Sequence, residues 1–95
     1  KGTKIMETTA FSGLVHAYME AQKKDLTVCT VLRIHVDAAR QDEAGQALAA
    51  KLRQSDYIGT MEDGGLYALL SNTSSTDARI VMERFQQVGY ASEMV

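Results

Sequence analysis

The chain predicts an α+β domain in which helices cover a four-stranded antiparallel sheet. Two observations carry this expectation. Apolar residues recur at three- and four-residue spacing in three separate stretches, the mark of amphipathic helices. Between those stretches lie short apolar runs, one alternating over residues 26–36 and two more flanking Asp63-Gly64, the pair that most strongly signals a β-hairpin.

Residues 5–22 read as the first helix, with Phe11, Leu14, Val15 and Tyr18 on one face and Gln22-Lys23-Lys24-Asp25 closing it. Residues 26–36 read as a strand. Leu26, Val28, Leu32, Ile34 and Val36 share one face, while Thr27, Cys29, Val31, Arg33 and His35 share the other. Helical spacing returns over 39–53, where Ala44, Ala47, Leu48 and Leu52 face inward and abundant alanine raises helix propensity. Tyr57–Met61 and Leu66–Leu70 form the expected hairpin around Glu62-Asp63-Gly64-Gly65. Ser74-Ser75-Thr76-Asp77 offers N-caps for a helix over about 76–87, with Ala78, Val81, Phe85 and Val88 inside and Gly89 as its stop. Residues 90–95 complete the set as a short strand. The order is helix, then βαββαβ, the ferredoxin-like arrangement with an additional N-terminal helix. That arrangement hosts many unrelated activities, so function has to be read from particular residues.

Composition narrows the classes. The 95 residues form one domain, 1–95, expected to be a piece of a longer protein because the sequence begins at Lys1 without methionine. An apolar content of 45% supports a packed core, and the absence of proline and low-complexity tracts argues against a disordered linker. The net charge of −2, spread along the chain, gives none of the broad basic surface that duplex DNA requires. An anionic ligand would therefore be held by a few local arginines. The single Cys29 excludes an internal disulfide and fits a reducing, cytoplasmic setting. No run approaches the ~20 apolar residues that span a bilayer, and no signal-peptide pattern is present.

The residues best suited to recognition are Arg53 and Asp56, three apart where the second helix meets the next strand. Arginine offers a planar fork that fits the O6/N7 edge of guanine or a phosphate. A carboxylate accepts from the N1–H and N2–H of the opposite guanine edge. The plain alternative is a surface ion pair contributing little.

Placed after a helix and ahead of a Gly-Gly hairpin, Arg53-Gln54-Ser55-Asp56 resembles the Arg-x-x-Asp inhibitory site of the GGDEF family of cyclic di-GMP synthases. Five residues, 57–61, separate Asp56 from the hairpin, as in that family, so the signature position reads Glu62-Asp63-Gly64-Gly65-Leu66. The resemblance also implies a further arginine on the following helix, and an ungapped count from Asp56 puts it at Arg84. It covers about 5–88, with its specific motifs confined to 53–84.

The departures are as informative as the matches. Family synthases carry acids where this chain has Gly64 and Gly65, and aligning the glycines instead puts Leu66 and Tyr67 at those places. The family's guanine-binding segment after the first strand is missing. Asp37 alone remains there, and one carboxylate does not hold a catalytic metal pair. The resemblance thus implies a degenerate, non-catalytic GGDEF domain that receives cyclic di-GMP at Arg53, Asp56 and Arg84, with no other cofactor and no metal. Degenerate members of this kind act as receptors, and a relative at the inner membrane controls Pel-type exopolysaccharide export. The expected partners are accordingly other domains or subunits of a membrane secretion or signalling complex, and the expected location is a cytoplasmic domain of such a protein. Two rival expectations stand beside it: a protein–protein interaction module without ligand, and a regulatory domain for another small metabolite.

The other reactive side chains read as structural. His16, His35 and Cys29 lie at no metal-ligand spacing. Cys29 has no activating base nearby in sequence. Tyr57 fits a packing role more readily than stacking on a base.

Overall fold

A computed structural model of the chain describes residues 5–95. Helix α1 spans Thr8–Lys23, strand β1 Cys29–Ile34, helix α2 Gln41–Ala49, strands β2 and β3 Tyr57–Thr60 and Leu66–Ser71, helix α3 Ser75–Gln87 and strand β4 Ser92–Met94. The strands form one sheet in the order β2-β3-β1-β4, with every neighbouring pair antiparallel. This is the ferredoxin-like α+β arrangement that the alternation of elements predicts.

β3 is buried along its whole length, and the period of two in a strand explains how. Leu66, Ala68 and Leu70 point toward α2 and α3, where Leu32, Leu48 and Phe85 complete the larger core. Tyr67 and Leu69 point the other way, where Phe11 and Val15 of α1 and Val31 of β1 form a second, smaller one. The additional helix therefore covers the face opposite α2 and α3. Its predicted inner residues hold, Phe11 and Val15 fully and Leu14 and Tyr18 in part.

Several predicted boundaries move, among them the end of β1, at Ile34 rather than residue 36, and the last strand, confined to Ser92–Met94. β1 begins at Cys29 rather than residue 26, leaving Leu26 and Val28 exposed, because neither β3 nor β4 extends far enough to pair with them. Met6, expected inside α1, instead makes a parallel bridge to Gly59: its N–H donates to Ile58 O at 2.8 Å and its carbonyl accepts from Thr60 N at 3.3 Å. Glu7 then caps α1, its carboxylate accepting from Thr9 N at 2.8 Å. The alanine-rich stretch predicted as one helix over 39–53 divides into a 3₁₀ turn at Ala38–Arg40 and α2, which ends at Ala49. Beyond it the chain tightens, with Lys51 N bonding Leu48 O and Leu52 N bonding Ala49 O. Arg53 thus belongs to a turn and not to the end of a helix.

The hairpin matches its Asp-Gly signal. Met61 N donates to Gly65 O and Gly64 N to Met61 O, and Gly64 takes φ +82°, a conformation costly for any side chain. α3 starts at the N-cap Ser74, whose hydroxyl accepts from Asp77 N at 3.2 Å, and stops at Gly89 with φ +100°.

Gly59 of β2 lies directly against the Phe11 ring, and a Cβ there would overlap it. Gly59→Ala is expected to cost about 2 kcal/mol by overpacking. Gly13→Ala, on an open face of α1, is expected to add roughly 1 kcal/mol. Paired urea denaturation curves of the two variants check both signs.

Candidate functional site

Two chain reversals meet at one end of the sheet. The first, residues 53–56, leads from α2 into β2 and closes on itself with Asp56 N donating to Arg53 O at 3.0 Å. The second, residues 71–74, leads from β3 into α3 and passes through Asn72 at φ 51°, a left-handed conformation that asparagine tolerates better than most residues. Antiparallel pairing of β2 with β3 puts the two reversals side by side.

Asp56 fastens them. Only 3% of it is exposed, so its carboxylate depends on protein donors. It has four. Oδ2 accepts from Arg53 N at 3.1 Å and Arg53 Nε at 3.0 Å; Oδ1 accepts from Arg53 Nη2 at 2.7 Å and Ser71 N at 3.3 Å. These fill the four lone-pair directions of a carboxylate. Ser71 Oγ adds a bond to Ser55 O at 2.5 Å, a second tie between the reversals.

Arg53 stands differently. Its side chain is 54% exposed, yet its fork is fixed. Besides Asp56, Nη2 meets Ser71 O at 2.6 Å and Thr73 Oγ1 at 2.9 Å. Nη1 has no protein acceptor among the described residues. The hydrogen-bonded Asp56 carboxylate holds the guanidinium above its ordinary pKa, so it stays charged at any working pH. The arrangement offers a fixed, half-exposed cation whose Nη1 carries two N–H donors without a protein acceptor among the described residues.

The expected partnership is therefore present in part. Arg53 and Asp56 meet, but Asp56 presents no free oxygen edge in this geometry. Arg84 is exposed in the last turn of α3, nine residues beyond Ser75 and so roughly 13 Å along the helix from the end beside Arg53. It forms no ion pair with Asp77 or Glu83. Ser71 and Thr73 were not singled out by sequence, where Ser-Asn-Thr-Ser-Ser signals only the cap of α3.

The hairpin at Glu62-Asp63-Gly64-Gly65 is tied by the Asp63 carboxylate. Asp63 Oδ1 accepts from Gly65 N at 2.8 Å, and Oδ2 accepts from the Tyr67 hydroxyl at 2.5 Å with Arg33 Nη1 at 3.5 Å. The Arg33 guanidinium sits 5.8 Å from the Tyr67 ring centroid. The Tyr67 hydrogen bond, then the Gly65 amide, hold the Asp63 carboxyl below its ordinary value, and Asp63 in turn raises the Tyr67 phenol.

Elsewhere, Asp37 is exposed before the 3₁₀ turn and its side chain caps nothing. A groove of about 390 Å³ lies beside it, lined by His35, Arg40 and Tyr90. A second, of about 400 Å³, opens between α1 and β4 at Met19, Cys29 and Met94. Neither is lined by Arg53, Asp56 or Arg84. Burial pushes the Cys29 thiol up, which suits packing and not nucleophilic chemistry. Tyr57 packs with the α1 core. Among the described residues, no group of three His, Cys, Asp or Glu is placed to hold a metal, and no helix is long and apolar enough to cross a membrane. No protein-family model matches the sequence, nor does any curated protein.

Two outcomes follow from these bonds. Asp56→Ala strands the Arg53 and Ser71 amides together and is expected to cost about 2 kcal/mol in chemical denaturation. Because the folded Asp63 carboxyl titrates below its unfolded value of about 4, its stabilising contribution is present above that value and is lost as pH falls through the folded one. Asp63→Asn should therefore destabilise at neutral pH and flatten the acid limb of a melting-temperature profile below about pH 4.

Proposed function

We propose that this domain is a non-catalytic receptor for cyclic di-GMP, with Arg53 as its principal contact and Arg84 as a second. The observation that carries the reading is the half-exposed Arg53 guanidinium, fixed at Nε and Nη2 while Nη1 and its flat face remain open. A cation already held in place loses little side-chain freedom on binding, which favours affinity for a phosphate oxygen or a guanine acceptor. The open face can also stack on a base.

Asp56 serves this site by holding Arg53. Direct pairing of its carboxylate with guanine N1–H and N2–H requires that it give up Arg53 Nε or the Ser71 amide, and burial of the group opposes that exchange. Arg84, some 13 Å of helix away, suits a different part of the dinucleotide, or the second molecule of an intercalated pair. Gly64 and Gly65 in place of the signature acids support a receptor over a synthase. The degenerate pattern resembles the C-terminal domain of PelD, the receptor for Pel exopolysaccharide export. By that likeness the domain works in the cytoplasm beside other domains or subunits of a membrane complex, where binding shifts their equilibrium through differential affinity.

The same bonds favour a second reading. A buried carboxylate with four donors is complete without ligand, and an interaction module of GGDEF ancestry would keep it for structure alone.

Calorimetry separates the two. Wild type should bind cyclic di-GMP; Arg53→Ala should weaken it at least about a hundredfold, Arg84→Ala about tenfold, and Lys23→Ala, on the exposed end of α1, not at all. Absence of heat with wild type, or unchanged affinity in Arg53→Ala, would overturn the receptor reading and leave the interaction module or a domain for another small metabolite.

A further inference from the structure

Arg53 Nη2 reaches past its own turn to Thr73, twenty positions away. Thr73 is itself fixed on three sides. Its carbonyl accepts from Thr30 Oγ1 of β1 at 2.9 Å, a buried bond, and only 5% of the residue is exposed. Its hydroxyl spends its single proton on Ser71 O at 2.8 Å. With that proton committed, the lone pairs of Oγ1 are left for Nη2 at 2.9 Å. The next residue, Ser74, caps the helix on which Arg84 lies.

We infer that Thr73 is a positioning residue for ligand recognition: it turns the Arg53 fork so that Nη1 faces outward and ties that fork to the helix bearing Arg84. The inference rests on the cyclic di-GMP reading and extends it beyond the Arg-x-x-Asp motif. The two bonds to Asp56 hold the Nε–Nη2 edge of the fork and leave it able to hinge about the line of the two carboxylate oxygens, a motion that Ser71 O opposes from one acceptor only. Thr73 supplies a further acceptor, which fixes the plane.

The test is calorimetry with cyclic di-GMP on full-chain variants. Thr73→Val keeps the shape and removes the hydroxyl, and should weaken binding about tenfold; Thr73→Ser restores the hydroxyl and should stay within about twofold of wild type. Lysine has no Nη2, so in an Arg53→Lys background Thr73→Val should cost nothing more, a result that a general structural role would not give. Thr73→Ala serves the same comparisons if the valine variant does not fold. Thr73→Val binding like wild type while Arg53→Ala does not bind overturns the inference and leaves the receptor reading intact. An equal loss in the Arg53→Lys background overturns it as well. A wild type that takes up no dinucleotide overturns both.

Discussion

The buried carboxylate of Asp56 is the constraint on which one end of the molecule turns. Two reversals of chain, one entering β2 and one leaving β3, carry backbone amides that neither a helix nor the sheet satisfies. Asp56 accepts one from each, at Arg53 and Ser71, and recruits the Arg53 guanidinium to balance its charge. Without that carboxylate the reversals keep the Ser71 Oγ bond to Ser55 O and the Arg53 Nη2 bonds to Ser71 O and Thr73 Oγ1, but the Arg53 and Ser71 amides lose their acceptor. The turn into β2 and the end of β3 are thus tied through a single side chain, and its arginine extends the tie to Thr73 ahead of α3.

A consequence is that the two readings of Arg53 and Asp56 are not opposed in physical terms. A buried ion pair is weak evidence for stability, since desolvation offsets its attraction. Here the desolvation falls on Asp56 alone, while Arg53 keeps half of its side chain in water. The pair divides into a member that is wholly structural and one that structure leaves free to act. The proposed recognition and the architecture share the motif, which is why motif spacing by itself does not distinguish them.

How much was legible in sequence follows the range of the forces involved. Local chemistry was readable: the hairpin at Asp63-Gly64, the cap at Ser74, the stop at Gly89, and the inner face of α1. What was not readable came from contacts distant in sequence. Alanine propensity argued for helix through residue 53, and nothing local announced that α2 would end at Ala49 and leave 53–56 as a turn held by Asp56 and Ser71. Leu26 and Val28 alternate as a strand should, yet find no neighbour to pair with. The purely apolar β3 held a clue to helices on both faces, since Tyr67 and Leu69 needed a cover as much as Leu66 and Leu70 did. At the site, Arg53 and Asp56 stood out by type and spacing, whereas Thr73, an unremarked residue of a cap-like stretch, entered only through folding.

The bridge from Met6 to Gly59 has a meaning beyond the placing of α1. β2 stands at the outer side of the sheet, and its Ile58 carbonyl and Thr60 amide would otherwise face water as a template for another strand. The segment ahead of α1 shields that template, while the opposite border is limited to the three residues of β4. A shortened chain starting at Phe11 would keep most of both cores and every residue of the Arg53 site, yet it would uncover a hydrogen-bonding edge. Its first failure would be self-association and not loss of fold.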